Sequence, residues 1–117
     1  MNEAPVALVV GGGSALGADA ARRLAADGYQ IGVMSSSGRG EALGFALGGF
    51  GFTGSNLVDN DLEQFVGKAM QRWGRIDTVV NGAGHGPKGD VLEISDEDWH
   101  LGLDYYLLNI IRMTRLV

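Results

Sequence analysis

Two glycine-rich turns contain the residues of this chain whose types and spacing could support chemistry. The first, residues 11–17 (GGGSALG), follows the apolar run 6–10 and precedes a helix-compatible run at 18–26. Glycines let a ligand approach the backbone, and the free N–H groups and positive dipole end of the next helix face that ligand. The turn predicts a phosphate-binding site of the size of a dinucleotide pyrophosphate. The alternative is a turn that only connects a strand to a helix.

The second turn, residues 81–84 (NGAG), follows the fourth predicted strand. In an open α/β sheet, ligands bind beyond the carboxyl ends of the strands, at the point where the strand order reverses. That point lies here between the first and fourth strands, so both turns are predicted to line one crevice. His85 and Lys88 follow in the next loop, and both are interpreted as exposed side chains because no carboxylate partner for His85 is evident.

The elements that must position these turns are those of a doubly wound sheet. Run 6–10 is apolar on both faces, which is typical of a buried parallel strand with helical crossovers. Further strands are predicted at 29–34, 50–55 and 76–80, in the order 3-2-1-4. The hydrophobic pattern predicts helices at 61–73 and 103–117, a helix at 41–47 weakened by glycines, and a break at Gly102. The fold class is an α/β, Rossmann-like parallel sheet.

The segment after the second strand selects between cofactors. An acidic residue there accepts hydrogen bonds from a ribose 2′-OH, whereas this chain has Ser35-Ser36-Ser37-Gly38-Arg39. Hydroxyls and a guanidinium suit a phosphate, so the sequence favours NADP over NAD; the alternative is a polar turn with a solvated arginine. Asn56, just past the third strand, could bind an adenine edge or only cap its turn.

Composition limits the function classes. The 117 residues suffice for one domain, and a net charge of −5 argues against nucleic acid or an anionic membrane as the main partner. The chain has no cysteine, which excludes disulfides, thiolate metal sites and a cysteine nucleophile. Neither a signal peptide nor a membrane span is predicted, so we expect a cytoplasmic protein.

These residues together resemble the short-chain dehydrogenase/reductase family. Its motif T-G-x-x-x-G-x-G is matched by residues 10–17, with Val10 for threonine and Ala15 for the middle glycine. Its N-N-A-G is matched by residues 81–84, its aromatic-G-x-I-D lead-in by 73–77, and a common tryptophan by Trp99. The resemblance covers the whole chain and implies a single NAD(P)-binding Rossmann domain over residues 1–117.

The resemblance implies an NADP(H)-dependent oxidoreductase that acts on a carbonyl/alcohol pair. By position, four groups of residues would hold the cofactor. The pyrophosphate and ribose would contact Gly11, Ser14, Leu16 and Gly17, and the 2′-phosphate Ser35, Ser36 and Arg39. The adenine would contact Asn56 and Leu57, and the adenosine and nicotinamide riboses Asn81, Ala83 and Gly84.

The catalytic residues of the family are not matched. Counting from Trp99, the family's active-site asparagine falls on Tyr106, and Asn109 lies three residues later. The family's serine and Tyr-x-x-x-Lys pair, which transfer the proton, come beyond Val117, so the domain is expected to be truncated after the helix that follows strand 4. No catalytic residue is therefore assigned.

A sheet that ends at its fourth strand, with an apolar last helix, exposes surface that promotes association. We expect either a piece of a longer reductase or a short protein completed by another chain, with a homo-oligomer formed through the last helix. A non-catalytic dinucleotide-binding or regulatory subunit completed by another chain is the alternative to an enzyme. An assembly partner without dinucleotide binding is a third possibility.

Overall fold

The computed structural model describes residues 3–13, 15–82 and 86–117, and its centre is a four-stranded parallel sheet. The strands are β1 (Val6–Val10), β2 (Gln30–Ser35), β3 (Phe50–Thr53) and β4 (Thr78–Asn81), in the order β3-β2-β1-β4. This order and the Rossmann-like class confirm the prediction. Val10 lies opposite Met34 on one side and Asn81 on the other, so the carboxyl ends of the three strands lie level.

The helices are α1 (Ala15–Ala26), α2 (Arg39–Ala46), α3 (Asp59–Trp73), α4 (Asp96–Leu103) and α5 (Asn109–Leu116). A π-helical turn, Asp104–Leu108, joins α4 to α5 without a break. The predicted break at Gly102 was therefore wrong, because a single glycine costs a helix only about 1 kcal/mol. No helix within the described residues is long and apolar enough to cross a bilayer.

The sheet separates two hydrophobic layers because β1 is buried on both faces. Val6, Leu8 and Val10 face a layer that includes Phe65 of α3 and Met113 of α5. The alternate residues of β1 face the other layer, which includes Ala21 of α1. Alternation along a strand sends successive side chains to opposite faces, so this apolar run anchors both layers.

Helix α2 forms although its glycines predict a weak helix. The reason is its close approach to β3: a Cβ on Gly44 would lie 2.2 Å from the Phe50 carbonyl oxygen. A Cβ on Gly51 would lie 2.2 Å from the Glu41 Cα, so both sides of the contact require glycine. Tertiary packing here outweighs helix propensity.

The carboxylate of Asp77 fastens the start of β1 to the segment before β4. It accepts hydrogen bonds from the Val6 N–H at 2.8 Å and from Nε and Nη2 of Arg75 at 2.9 and 2.7 Å. The hydrogen bonds from Arg75, and next the one from Val6, lower the pKa of Asp77 below its ordinary value of 3.8. A lowered pKa in the folded state stabilises the fold above the unfolded-state pKa.

We therefore expect Asp77→Asn to lower the urea midpoint of unfolding at pH 7, and this deficit to shrink as the pH falls below about 4. The sign follows because protonation of Asp77 removes the same ionic hydrogen bonds from the wild type. Urea unfolding at pH 7, 4 and 3 measures the effect. A deficit that is equal at all three pH values would contradict it.

Candidate functional site

The described parts of the two glycine-rich turns, residues 11–13 and 81–82, meet at the carboxyl ends of β1 and β4. Gly11 has a φ of +76°, and a Cβ on it would lie 3.1 Å from the Gly82 carbonyl oxygen. The Gly11 N–H donates to the Met34 carbonyl at 2.8 Å, and the Gly82 N–H donates to the Val10 carbonyl at 2.8 Å. Gly11 and Gly82, which the sequence predicts to line one crevice, thus lie side by side at the ends of the first and fourth strands.

The turn from β1 to α1 has no room for a side chain at Gly12 or Gly17. A Cβ on Gly17 would lie 2.3 Å from the Gly11 carbonyl oxygen, and one on Gly12 would lie 2.4 Å from Val33 Cγ1. The side chain of Leu16 is exposed, so Leu16 can serve a ligand through its backbone, in the first turn of α1. Ser14, also predicted to contact the pyrophosphate, lies outside the described residues.

Ala15 has a φ of +38°, the one positive φ of a non-glycine residue in the described part of the chain. The left-handed region costs an ordinary residue about 1–3 kcal/mol. Ala15 is the residue that stands where the family motif has its middle glycine. The backbone conformation accounts for that glycine in the motif and marks Ala15 as a strained position beside the crevice.

The end of β2 and the segment after it contain a buried serine, Ser35, and the exposed polar residues Ser36 and Arg39. Ser35 is buried, and its hydroxyl donates to the Ser37 carbonyl at 2.6 Å while accepting from the Gly40 N–H at 2.8 Å. Ser36 and Arg39 are exposed. The Arg39 guanidinium has no partner among residues 3–13, 15–82 and 86–117, so it can bind an anion there without breaking an ion pair.

Two asparagine side chains converge on the carbonyl oxygen of Gly82. Asn56 Nδ2 donates to it at 3.4 Å and Asn109 Nδ2 at 3.3 Å. Sequence interpretation offered an adenine contact or a turn cap for Asn56, and neither included this bond to Gly82. Leu57 beside it is half-buried, and its N–H donates to Ser55 Oγ at 3.1 Å.

Unpaired acceptors lie at the same strand end. The Oδ1 atoms of Asn81 and Asn109 are buried, and neither has a hydrogen-bond partner in the described part of the molecule. A buried acceptor without a donor costs about 1–3 kcal/mol, so a ligand hydroxyl that reached either oxygen would recover that energy. Ala83 and Gly84, predicted to line the riboses, lie outside the described residues, as does His85.

Tyr106 and Asn109 are functional candidates that sequence reasoning left without a role. The Tyr106 hydroxyl accepts a hydrogen bond from the Gly86 N–H at 2.8 Å. Asn109, 1% exposed, lies at the crevice through its bond to Gly82. The sequence signal was present for Asn109, since an asparagine in an otherwise apolar helix must find a partner if it is buried.

Arg112 holds the last helix in place near this site. Its guanidinium forms ion pairs with Asp104 of the π-helical turn and with Asp59 Oδ1, at 3.3 Å, at the start of α3. Arg112 is largely buried, with a side chain 18% exposed, which reduces solvent screening of the pairs. The ion pairs thereby link α5, the π-helical turn and α3.

The chain belongs to the short chain dehydrogenase family, whose sequence model matches residues 5–117. Among curated relatives, a putative ketoacyl reductase of the granaticin polyketide synthase from Streptomyces violaceoruber is 36% identical over 110 residues, covering 87% of this chain and 44% of the relative. A putative ketoacyl reductase of the monensin polyketide synthase from Streptomyces virginiae is 36% identical over 119 residues, covering 96% and 45%.

A solved structure of an actinorhodin polyketide ketoreductase variant with NADPH is also similar. It superposes with a TM-score of 0.88 at 27% identity, covering 99% of this chain and 48% of that one. The chain spans about half the length of the curated relatives that it matches. The likeness therefore concerns the half that contains the crevice.

Proposed function

We propose that this protein is an NADP(H)-dependent oxidoreductase acting on a carbonyl/alcohol pair, with this chain carrying the cofactor-binding half. The observation that carries the proposal is the contact between Gly11 and Gly82 at the switch point of the sheet. Ligands of open α/β sheets bind at that place. Membership of the family supports the same assignment.

The residues of the crevice fit a dinucleotide. A Cβ on Gly11 or Gly17 would meet backbone atoms, so this tight turn requires glycine at both positions. The first N–H groups of a helix, here α1 with Leu16 in its first turn, suit a pyrophosphate. Asn81 and Asn109 offer buried acceptors to ribose hydroxyls. When bound, the nicotinamide group donates or accepts the hydride, and the protein orients it and excludes water.

We infer NADP rather than NAD from the segment after β2. Ser36 and Arg39 are exposed beside the turn that the buried Ser35 hydroxyl organises. A guanidinium suits a 2′-phosphate because it donates several charge-assisted hydrogen bonds. The similar actinorhodin ketoreductase structure contains NADPH, which supports this choice.

The proposal is tested by titrating NADPH and NADH against the purified natural protein while following nicotinamide fluorescence. We expect saturable binding with NADPH preferred, and NADPH oxidation on adding a 3-oxoacyl thioester such as acetoacetyl-CoA, since two similar proteins are ketoacyl reductases of polyketide synthases. The absence of saturable binding would overturn the proposal.

A second candidate is a dinucleotide-binding subunit without catalysis. The specific observation in its favour is Tyr106, which stands where the family has its active-site asparagine and whose hydroxyl is occupied by Gly86. NADPH binding without turnover on acetoacetyl-CoA and a panel of ketones would favour this candidate.

Location and assembly form the remaining part of the proposal. The lack of cysteine and the net charge of −5 fit a cytoplasmic protein that binds neither nucleic acid nor membrane. The continuous helix from α4 to α5 exposes a series of large apolar side chains, and exposed apolar patches favour association. We propose a homo-oligomer through this helix. These side chains are Trp99, Leu101, Leu103, Tyr106, Leu107, Leu108 and Ile110.

A further inference from the structure

We propose that Tyr106 is a positioning residue, whose hydroxyl holds residues 86–94 against the helix α4 and so shapes the substrate side of the crevice. We call residues 86–94 the crevice loop. The effect on substrate rests on the proposed function, whereas the tether itself does not. By sequence, this tyrosine stands where the family has its active-site asparagine. In the structure, its hydroxyl instead accepts a hydrogen bond from the Gly86 N–H.

The contact between Tyr106 and Gly86 is specific on both sides. The Gly86 N–H donates to the Tyr106 hydroxyl at 2.8 Å. A Cβ on Gly86 would lie 2.5 Å from Cε2 of the Tyr106 ring and 3.0 Å from its hydroxyl oxygen. Residue 86 must therefore be glycine for the ring to take this position, and Gly86 is buried beneath it.

The second half of the crevice loop is held by local contacts. The N–H groups of Glu93 and Ile94 donate to the Asp90 carbonyl at 2.9 and 3.1 Å, and Ile94 Cγ1 lies 3.3 Å from the position of a Cβ on Gly89. At its far end, Ser95 caps α4 by accepting from the Asp98 N–H at 3.2 Å. The Tyr106 bond holds the near end.

An apolar cavity of about 200 Å³ lies between the crevice loop and the helix. Pro87 and Ile94 form its loop side, and Trp99, Leu103 and Tyr106 form its helix side. Loss of the tether would let the loop side move away and change this cavity. The loop begins five residues after Asn81, at the edge of the sheet where ligands of this fold class bind. If the proposed function holds, we therefore expect the position of the loop to affect the space for a ketone.

Tyr106→Phe tests the tether because it removes the hydroxyl and keeps the ring. The substitution is made in the natural full-length protein, and hydrogen exchange is followed in a peptide that covers the crevice loop. We expect exchange about three- to tenfold faster than in the wild type, because a single hydrogen bond contributes about this much. Tyr105→Phe is the matched control, since Tyr105 has no side-chain hydrogen bond within the described residues. We expect its exchange to match that of the wild type.

The kinetic consequence is a change in KM and not in kcat. With acetoacetyl-CoA as the probe, Tyr106→Phe is expected to raise KM about three- to tenfold and to leave kcat and the affinity for NADPH within about twofold. Unchanged loop exchange in a folded Tyr106→Phe protein would overturn the proposal. A fall in kcat at constant KM would also overturn it, because the hydroxyl would then act in the chemical step.

The tether and the proposed function fail in different ways. If the wild type reduces no ketone while Tyr106→Phe still loosens the crevice loop, the function is wrong and the tether stands. Gly86→Ala changes the other partner of the contact, because its Cβ would lie 2.5 Å from Cε2 of Tyr106. We expect it to speed hydrogen exchange in the crevice loop as Tyr106→Phe does. Normal loop exchange in Gly86→Ala would contradict the contact itself.

Discussion

Gly17→Ala is expected to weaken NADPH binding by at least about a hundredfold, because a misplaced turn loses several backbone hydrogen bonds to phosphate at once. The new Cβ would lie 2.3 Å from the Gly11 carbonyl oxygen, so the start of α1 or the end of β1 must shift. Fluorescence titration measures binding, and circular dichroism establishes that the variant is folded.

Gly67→Ala is the matched control for this prediction. Gly67 lies on the exposed side of α3, and a Cβ there would meet nothing within 4 Å. We expect unchanged NADPH binding and a free energy of unfolding higher by about 0.5–1 kcal/mol, since alanine is the better helix former. A folded Gly17→Ala protein that binds NADPH like the Gly67→Ala control would contradict the pyrophosphate site.

Arg39→Glu is expected to weaken NADPH binding about ten- to a hundredfold while changing NADH binding by less than about threefold. The variant replaces the exposed guanidinium with a carboxylate that repels a 2′-phosphate, and NADH lacks that phosphate. Titrations with both nucleotides, at one ionic strength, measure the ratio of their affinities.

Lys68→Glu makes the same change in charge at an exposed position of α3, a helix that packs on the sheet face opposite α2. We expect it to leave the preference for NADPH in place, because distant surface charges are screened over about 10 Å. An equal loss of NADPH and NADH affinity in Arg39→Glu would remove Arg39 from the 2′-phosphate site.

The architecture was predictable because its signals are local and strong. Run 6–10 is apolar without interruption, the helix before Gly74 has a clear period, and Gly74 ends that helix with a φ of +74° as its type suggests. The two glycine turns could be placed together because parallel strands bring their carboxyl ends to one edge. The strand order followed from the doubly wound class, in which the order reverses beside the first strand.

The contacts of the last helix could not be predicted in the same way. Asn109, Tyr106 and Arg112 reach partners between 8 and 53 residues away in sequence, at Gly82, Gly86, Asp104 and Asp59. Their pairing depends on the π-helical turn, which changes the rotation of every following residue about the helix axis. No local pattern in residues 104–108 indicates that turn.

Helix α2 shows the limit of propensity in the opposite direction. Its glycines argue against a helix when each residue is considered alone, yet Gly44 and Gly51 allow the backbones of α2 and β3 to touch. The entropic cost of glycine can be read from the sequence. The backbone contact between α2 and β3, which only glycine permits, depends on the folded arrangement. The Ser35 hydroxyl is a similar case, since its bond to the Gly40 N–H depends on where α2 begins.

The close approach of α2 to β3 also determines which mutations this chain can accumulate. The atoms that a Cβ on Gly44 or Gly51 would meet belong to backbone, so no substitution in a neighbouring side chain can make room for it. At Gly86 the opposing atoms belong to the Tyr106 side chain, and a smaller residue at 106 would admit a larger one at 86. Residues 86 and 106 can therefore change together, provided that residue 106 becomes smaller first. At Gly44 and Gly51, no second substitution makes a larger residue acceptable.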